Sequence, residues 1–202
     1  MLGIVGGLAS GKSTVARLLA ERGARIVDAD RIGHEALKRS AVKDAIRRAF
    51  GQTVLDPDGQ VNHARLAEEV FGQPTRVAEL NSIVHPLILA EIRAQVKRLK
   101  GDRAVPLVVL DAALLMETGL DRELCQALLF VDTPRAFRRE RAADRSLSAE
   151  QFDRREQAQL PEEAKRERAD FVVQNGGALE DLRQQVDELW PALCEAGKEG
   201  PK

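Results

Sequence analysis

The chain has no tyrosine, and its aromatic residues make up only 3% of the sequence. A base-stacking platform for nucleic acid needs several aromatic rings, so that class of function is disfavoured. Cysteine is nearly as scarce: Cys125 and Cys194 stand far apart, with no partner at metal-ligand spacing. A small secreted scaffold would carry more, so a reducing, cytoplasmic setting is expected. His34, His63 and His85 keep no metal-binding interval either. No stretch approaches the roughly 20 apolar residues that span a bilayer. The opening MLGIVGG has no basic residues ahead of a long apolar run, so it does not read as a signal peptide. Net charge is −1, which leaves no global field to attract DNA or an anionic membrane. Neither nucleic acid nor membrane is expected as a partner. Any anion must be met by local charge.

What is present is an ordinary folding composition, 44% apolar and 31% charged over 202 residues. That length hides roughly 70% of the unfolded surface and predicts one domain, with room for insertions too small to fold alone. There is no internal repeat, and only the tail from Gly197 to Lys202 is simply polar.

Met1 to Val5 suits a buried first strand. Ser13 to Arg22 carries Val15, Leu18 and Leu19 on one helical face and stops at Gly23. A second strand is expected over Ala24–Asp28, then a long helical stretch to Phe50 and a turn at Asp56-Pro57-Asp58-Gly59. Asn62 to Lys100 reads as helix throughout, with Leu66, Val70, Leu80, Val84, Ile88 and Ile92 at helical intervals and breaks near Gly72-Gln73-Pro74 and at Pro86. Strands return at Leu107–Leu110 and Ala127–Val131. Pro134 then opens an arginine-rich helix. Ser148-Ala149-Glu150-Gln151 has the form of a capping box. Phe171–Val173 is a last strand, and Leu179, Leu182, Val186, Leu189 and Leu193 form a closing apolar stripe. Strands alternating with helices predict an α/β fold, a mostly parallel sheet flanked by helices. The intervals 62–105 and 136–167 lack strands and are natural places for inserted helical lobes.

The strongest chemical signal is Gly6-Gly7-Leu8-Ala9-Ser10-Gly11-Lys12-Ser13, followed by Thr14. It follows a predicted strand and opens a predicted helix, the context this P-loop pattern demands. Its glycines let backbone N–H groups converge on phosphate oxygens, and the helix N-terminus adds partial positive charge. Lys12 is placed to reach the β- and γ-phosphates of ATP, and the Ser13 hydroxyl to ligate Mg²⁺.

Asp28 and Asp30 flank the end of the second strand, where an open α/β sheet builds its ligand crevice. One carboxylate there could take a proton from an acceptor hydroxyl or hold Mg²⁺ through water. A plain helix N-cap is the alternative for each. Val108-Val109-Leu110-Asp111 has the form of a hydrophobic strand ending in a metal-side aspartate, a pattern also common by chance. Arg135, Arg138, Arg139, Arg141 and Arg145 make a lid candidate, with 135, 138, 141 and 145 on one helical face. Guanidinium forks suit polyphosphate, although a solvated charged face is the bland reading of such a run.

Taken together, these segments resemble the dephospho-coenzyme A kinase family over nearly the whole chain. The resemblance is carried by the P-loop with Val27-Asp28-Ala29-Asp30, and by Phe71 and Leu80-Asn81 leading to His85-Pro86. Ala113-Leu114-Leu115-Met116-Glu117 is similar to the family's Pro-Leu-Leu-x-Glu loop, and Arg141 with Arg145 to its lid arginines. Gln159, Ala169-Asp170 and Asn175-x-Gly complete the match. The resemblance implies a P-loop kinase fold with core segments 1–61, 106–135 and 168–202, a helical acceptor-binding lobe over 62–105 and a helical lid over 136–167. It implies ATP-dependent phosphorylation of the ribose 3′-hydroxyl of dephospho-coenzyme A, by a monomer or small homo-oligomer. Asp30 would then be the base, with Lys12, Arg141 and Arg145 serving transfer. His85, Leu114 and Glu117 would bind the acceptor, Gly6 to Thr14 the phosphates, and Asn175 would lie near adenine.

Three positions depart from the family's habit. Val5 stands where Thr is common, Ala113 where Pro is, and Ser146 rather than Asp or Gly follows the lid arginine. None removes a group the chemistry requires. A P-loop kinase for another small hydroxyl or nucleotide acceptor is the alternative within the class. A nucleotide-binding regulator that transfers nothing is the alternative outside it; the Asn-Lys-x-Asp guanine motif of GTPases is missing.

Overall fold

The computed structural model describes residues 1–70, 72–102 and 104–198; Phe71 and the last four residues of the polar tail lie outside the described residues. In chain order the elements are β1 (Leu2–Gly6), α1 (Lys12–Glu21), β2 (Arg25–Asp28), α2 (Ala29–Leu37), α3 (Ser40–Phe50), a 3₁₀ turn (Gln52–Val54), α4 (His63–Val70) and α5 (Pro74–Lys100). There follow β3 (Val108–Asp111), α6 (Leu120–Leu124), β4 (Ala127–Asp132), α7 (Arg135–Ala143), α8 (Ala149–Gln157), α9 (Glu162–Glu167), β5 (Phe171–Gln174) and α10 (Leu179–Ala196). The strands form one parallel sheet in the order β2-β3-β1-β4-β5.

Packing divides the chain into two compact units, Met1–Asp28 with the chain from Arg98 onward, and Ala29–Lys97. The first unit holds the whole sheet. Leu2 and Ile4 of β1 point to one face, where Val15, Leu18 and Leu19 of α1 and Leu182, Val186 and Leu193 of α10 cover them with Val109, Leu129, Val131 and Val173. The intervening Gly3 faces the other way. A Cβ there would come within 2.7 Å of the Leu115 and Leu128 side chains, so that side chain is absent because its space is filled. Leu129 is fully buried in β4. Leu129→Ala should therefore cost about 2–5 kcal/mol, read from the midpoint of urea unfolding at unchanged slope.

The second unit is helical. Val42, Ile46 and Phe50 of α3 share one core with Val54, Leu66 of α4 and Val84 of α5. The interval 62–105 thus builds its core jointly with α3. Two helical expectations needed correction. The stretch to Phe50 is two helices, with Arg39 extended between them (φ −68, ψ 134). The break swings α3 so that Val42, Ile46 and Phe50 meet the same core as Leu37, which an unbroken helix would turn away. Nor does Pro86 end its helix: α5 runs through it for 27 residues. Proline removes one backbone bond at a cost near 3 kcal/mol. The burial of Val84, Ile92 and Val96 along the same helix outweighs that.

Candidate active site

The loop between β1 and α1 is built around left-handed backbone. Gly11, at φ 91, is the N-cap of α1, and Ala9 also has positive φ, at 59. A Cβ on Gly11 would also collide with the Asn175 amide nitrogen, so glycine is required there twice over. Gly11 has no side chain to cap α1, and the helix therefore presents its first N–H groups and its positive dipole end to an anion. The Ser10 carbonyl is pinned from two sides, accepting the Thr133 hydroxyl at 2.8 Å and Asn175 Nδ2 at 2.7 Å. Lys12 Nζ arches back over the loop, donating to Gly6 O at 3.1 Å and Gly7 O at 2.9 Å. Leu8 and Thr14 are half-buried, and Ser13 is exposed at the second position of α1.

Two carboxylates sit at the carboxyl edge of the same sheet. Asp28 and Asp111 end β2 and β3 in direct register, and Asp111 is also paired with Ile4 of β1, two residues before Gly6. A hydroxyl and one or two carboxylates suit Mg²⁺, which keeps several waters and takes its remaining ligands from substrate phosphates.

Asp30 and His85 belong to the second unit. Asp30 is exposed in the first turn of α2, and its backbone oxygen accepts His34 Nδ1–H at 2.8 Å. His85 is exposed on α5. The remaining residues expected at the site lie in the first unit.

The arginines divide in a way that their spacing did not foretell. Arg135 pairs with Glu156 at 2.8 Å and Asp153 at 2.6 Å. Arg138, 1% exposed, is held by Glu156 at 2.7 Å, by Glu162 and by the Thr133 carbonyl at 3.1 Å. Those two guanidiniums are already neutralised, so a four-arginine face open to polyphosphate is not what forms. Burial would raise the Glu156 carboxyl, but its bonds to Arg135 and Arg138 hold it below the usual range. Glu162 is raised, first by burial and despite Arg138. Its Oε1 lies against Gly7 without a well-aligned hydrogen bond. A cavity of about 240 Å³ opens among Arg135, Arg138, Glu156, Gln159 and Glu162.

Arg141 and Arg145 remain as candidates of two kinds. Arg141 is half-buried and donates from Nη2 to Asn175 O at 2.9 Å, so it stands with Asn175 beside Gly11. Arg145 lies past the end of α7, exposed and without an ion pair among the described residues. Ser146 after it is left-handed, at φ 63. Gly tolerates that conformation freely and Asp better than most, which explains why either would suit this position. The predicted capping box is present: Ser148 Oγ accepts Gln151 N–H at 3.2 Å, and Gln151 returns the bond at 3.0 Å.

In the loop after β3, Leu114 is 45% exposed. Glu117 is tied down, accepting Leu160 N–H at 2.9 Å and pairing with Lys165 at 2.8 Å. Thr133, Arg138 and Lys165 were not singled out for these structural roles from sequence. Their partners lie far along the chain, and no local pattern marks them.

The family model described as dephospho-CoA kinase matches residues 1–181 of this chain. A dephospho-CoA kinase of Symbiobacterium thermophilum is 40% identical over 99% of this chain and 83% of its own length. One from Anaeromyxobacter dehalogenans is 41% identical over 94% of this chain and 90% of its own. A Thermus thermophilus protein of solved structure superposes with a TM-score of 0.83 at 36% identity, covering 95% of this chain and 96% of that one.

Proposed function

We infer from this chain's place in the dephospho-CoA kinase family, to which it belongs, that it transfers the γ-phosphoryl group of ATP to the ribose 3′-hydroxyl of dephospho-coenzyme A. The product is coenzyme A, and the step closes its biosynthesis. The observation that carries the reading is the pinned P-loop beside register-paired Asp28 and Asp111, within a family match over residues 1–181. ATP consumption with and without dephospho-coenzyme A tests it, with the product's new phosphate assigned by NMR. Acceptor-dependent turnover with a 3′-phosphate is the expected result. Slow hydrolysis indifferent to the acceptor would sink it.

The roles of individual residues follow as proposals. Gly6 to Thr14 cradle the phosphates of ATP, with Lys12 at the transferring group and Asn175 toward the adenine side. Ser13, with Asp28 or Asp111, would hold Mg²⁺, which when bound offsets phosphate charge. Asp30 orients the acceptor hydroxyl and takes its proton. Residues 62–105 form the acceptor lobe and 136–167 a lid. The family chemistry and the absence of any helix long and apolar enough to cross a membrane among the described residues are compatible with a cytoplasmic enzyme.

Two further results are expected. His85→Ala should raise KM for dephospho-coenzyme A by about 2- to 10-fold, the worth of one hydrogen bond. KM for ATP should stay within experimental error, and equal movement of both constants would refute an acceptor-side role. For the lid, hydrogen exchange across residues 135–160 should slow when a bisubstrate analogue binds. Arg145→Lys should lower kcat at least about tenfold, because a point charge cannot replace a planar fork. Unchanged exchange and a fully active lysine variant would together remove the lid assignment.

A further inference from the structure

Lys165 is an unusual residue to bury. Its side chain is 2% exposed in α9, and the ammonium has Glu117 Oε1 at 2.8 Å and Gln159 Oε1 at 3.0 Å. Stability alone gives a weak reason for it. Withdrawing such a pair from water costs about as much as the attraction returns, and an apolar pair of similar volume would serve as well. What the pair does fix is direction.

Lys165 Nζ and Leu160 N–H converge on the same oxygen of Glu117, Oε1. Among the described residues no side-chain hydrogen bond reaches Oε2, and the Glu117 side chain keeps 15% of its surface exposed. Burial would favour the protonated acid, yet the bonds from Lys165, from Leu160 N–H and from the residue's own N–H outweigh it and hold the carboxyl below the usual range. Glu117 is therefore an anion with one oxygen clamped, and its second oxygen retains lone-pair capacity to accept from a ligand hydroxyl or amide. The same clamp ties the loop after β3, with its exposed Leu114, to the segment 159–165.

We propose that Lys165 is a positioning residue for the phosphoryl acceptor, acting through Glu117 by clamping its Oε1 so that Oε2 faces the bound acceptor. This rests on the reading of Glu117 as an acceptor-binding group in a dephospho-coenzyme A kinase.

A double-mutant cycle on the full chain tests it, with steady-state constants measured for both substrates in the parent, Lys165→Met, Glu117→Gln and the double variant. Lys165→Met should raise KM for dephospho-coenzyme A about 10-fold or more, as loss of a charge-assisted hydrogen bond would. KM for ATP should move less than about twofold, because a clamp on the acceptor side leaves uniform ATP binding untouched. The double variant should be no worse than Glu117→Gln alone. Should Lys165→Met fail to fold because it strands a buried charge, the double variant removes both charges, and its comparison with Glu117→Gln still decides. A further tenfold loss in the double variant overturns the proposal, since Lys165 would then act independently. An equal rise in KM for ATP, or a Glu117→Gln enzyme with an unchanged acceptor KM, overturns it as well. A parent enzyme that does not turn over dephospho-coenzyme A removes the functional reading and this proposal together; turnover with additive effects removes the proposal alone.

Discussion

Lys12→Ala should lower kcat by at least about 10²–10³-fold, the scale set by removing one preorganised charge-stabilising group from a transition state. The structure supplies the geometry for that expectation. Lys12 is the first residue of α1, directly after the left-handed Gly11, and its ammonium already lies over the loop at 2.9–3.1 Å from the Gly6 and Gly7 carbonyls. A phosphate cradled by the loop N–H groups would meet the same ammonium. The bonds to Gly6 and Gly7 carry charge on the donor alone, whereas a bond to phosphate carries charge on both partners, so the ammonium gains by moving onto the transferring group. The loop itself does not depend on this side chain, because Thr133 and Asn175 hold Ser10 from outside. The variant should therefore keep its circular dichroism spectrum and melting temperature within a few degrees while single-turnover transfer collapses. Near-parental turnover by a folded Lys12→Ala enzyme would show that the charge is supplied elsewhere.

Asp30→Asn should lower kcat by about 10²–10⁴-fold, the usual contribution of a positioned general base. A ribose hydroxyl is a poor nucleophile near neutral pH, and a carboxylate that accepts its proton acts only as the transition state develops. The loss should thus fall on kcat and on kcat/KM together, with ATP binding preserved. Asn keeps the size of Asp. Its lost charge in the first turn of α2 weakens a favourable helix-dipole contact by only about 0.3–1 kcal/mol, too little to unfold the chain. Asp28 is the competitor, and its position argues for a different duty. It ends β2 in register with Asp111, a pairing suited to the metal side of the site. Asp28→Asn should be milder in an assay saturated with Mg²⁺. A normal Asp30→Asn enzyme beside a dead Asp28→Asn enzyme would exchange the two roles.

The features legible in the sequence are those whose cause lies within a few residues. Gly6 to Ser13 announce a phosphate loop because the motif is contiguous and its left-handed turn, realised at Gly11, is a local demand that glycine meets. Ser148 and Gln151 announce a helix start because the two bonds of a capping box span three residues. The apolar stripe of α10 reads as helix because burial repeats every three to four positions, and Leu182, Val186 and Leu193 are indeed buried. The alternation of strands and helices gave the parallel sheet for the same reason.

Tertiary structure decided everything that depends on which distant charges meet. Arg138 and Arg141 look equivalent along the helix, yet Arg138 is buried between Glu156 and Glu162 while Arg141 stands beside Gly11. Asp28 and Asp111 became a pair only when β2 and β3 came into register. Pro86 was tolerated because the burial of Val84 and Ile92 outweighed a local preference. Lys165 and Glu117, far apart along the chain, carry no shared pattern that would predict their contact. Steric and hydrogen-bond rules act over one or two turns and are written in neighbouring residues. The partner of a buried charge is chosen by where the chain folds back, since only there does removal from water make one particular neighbour indispensable.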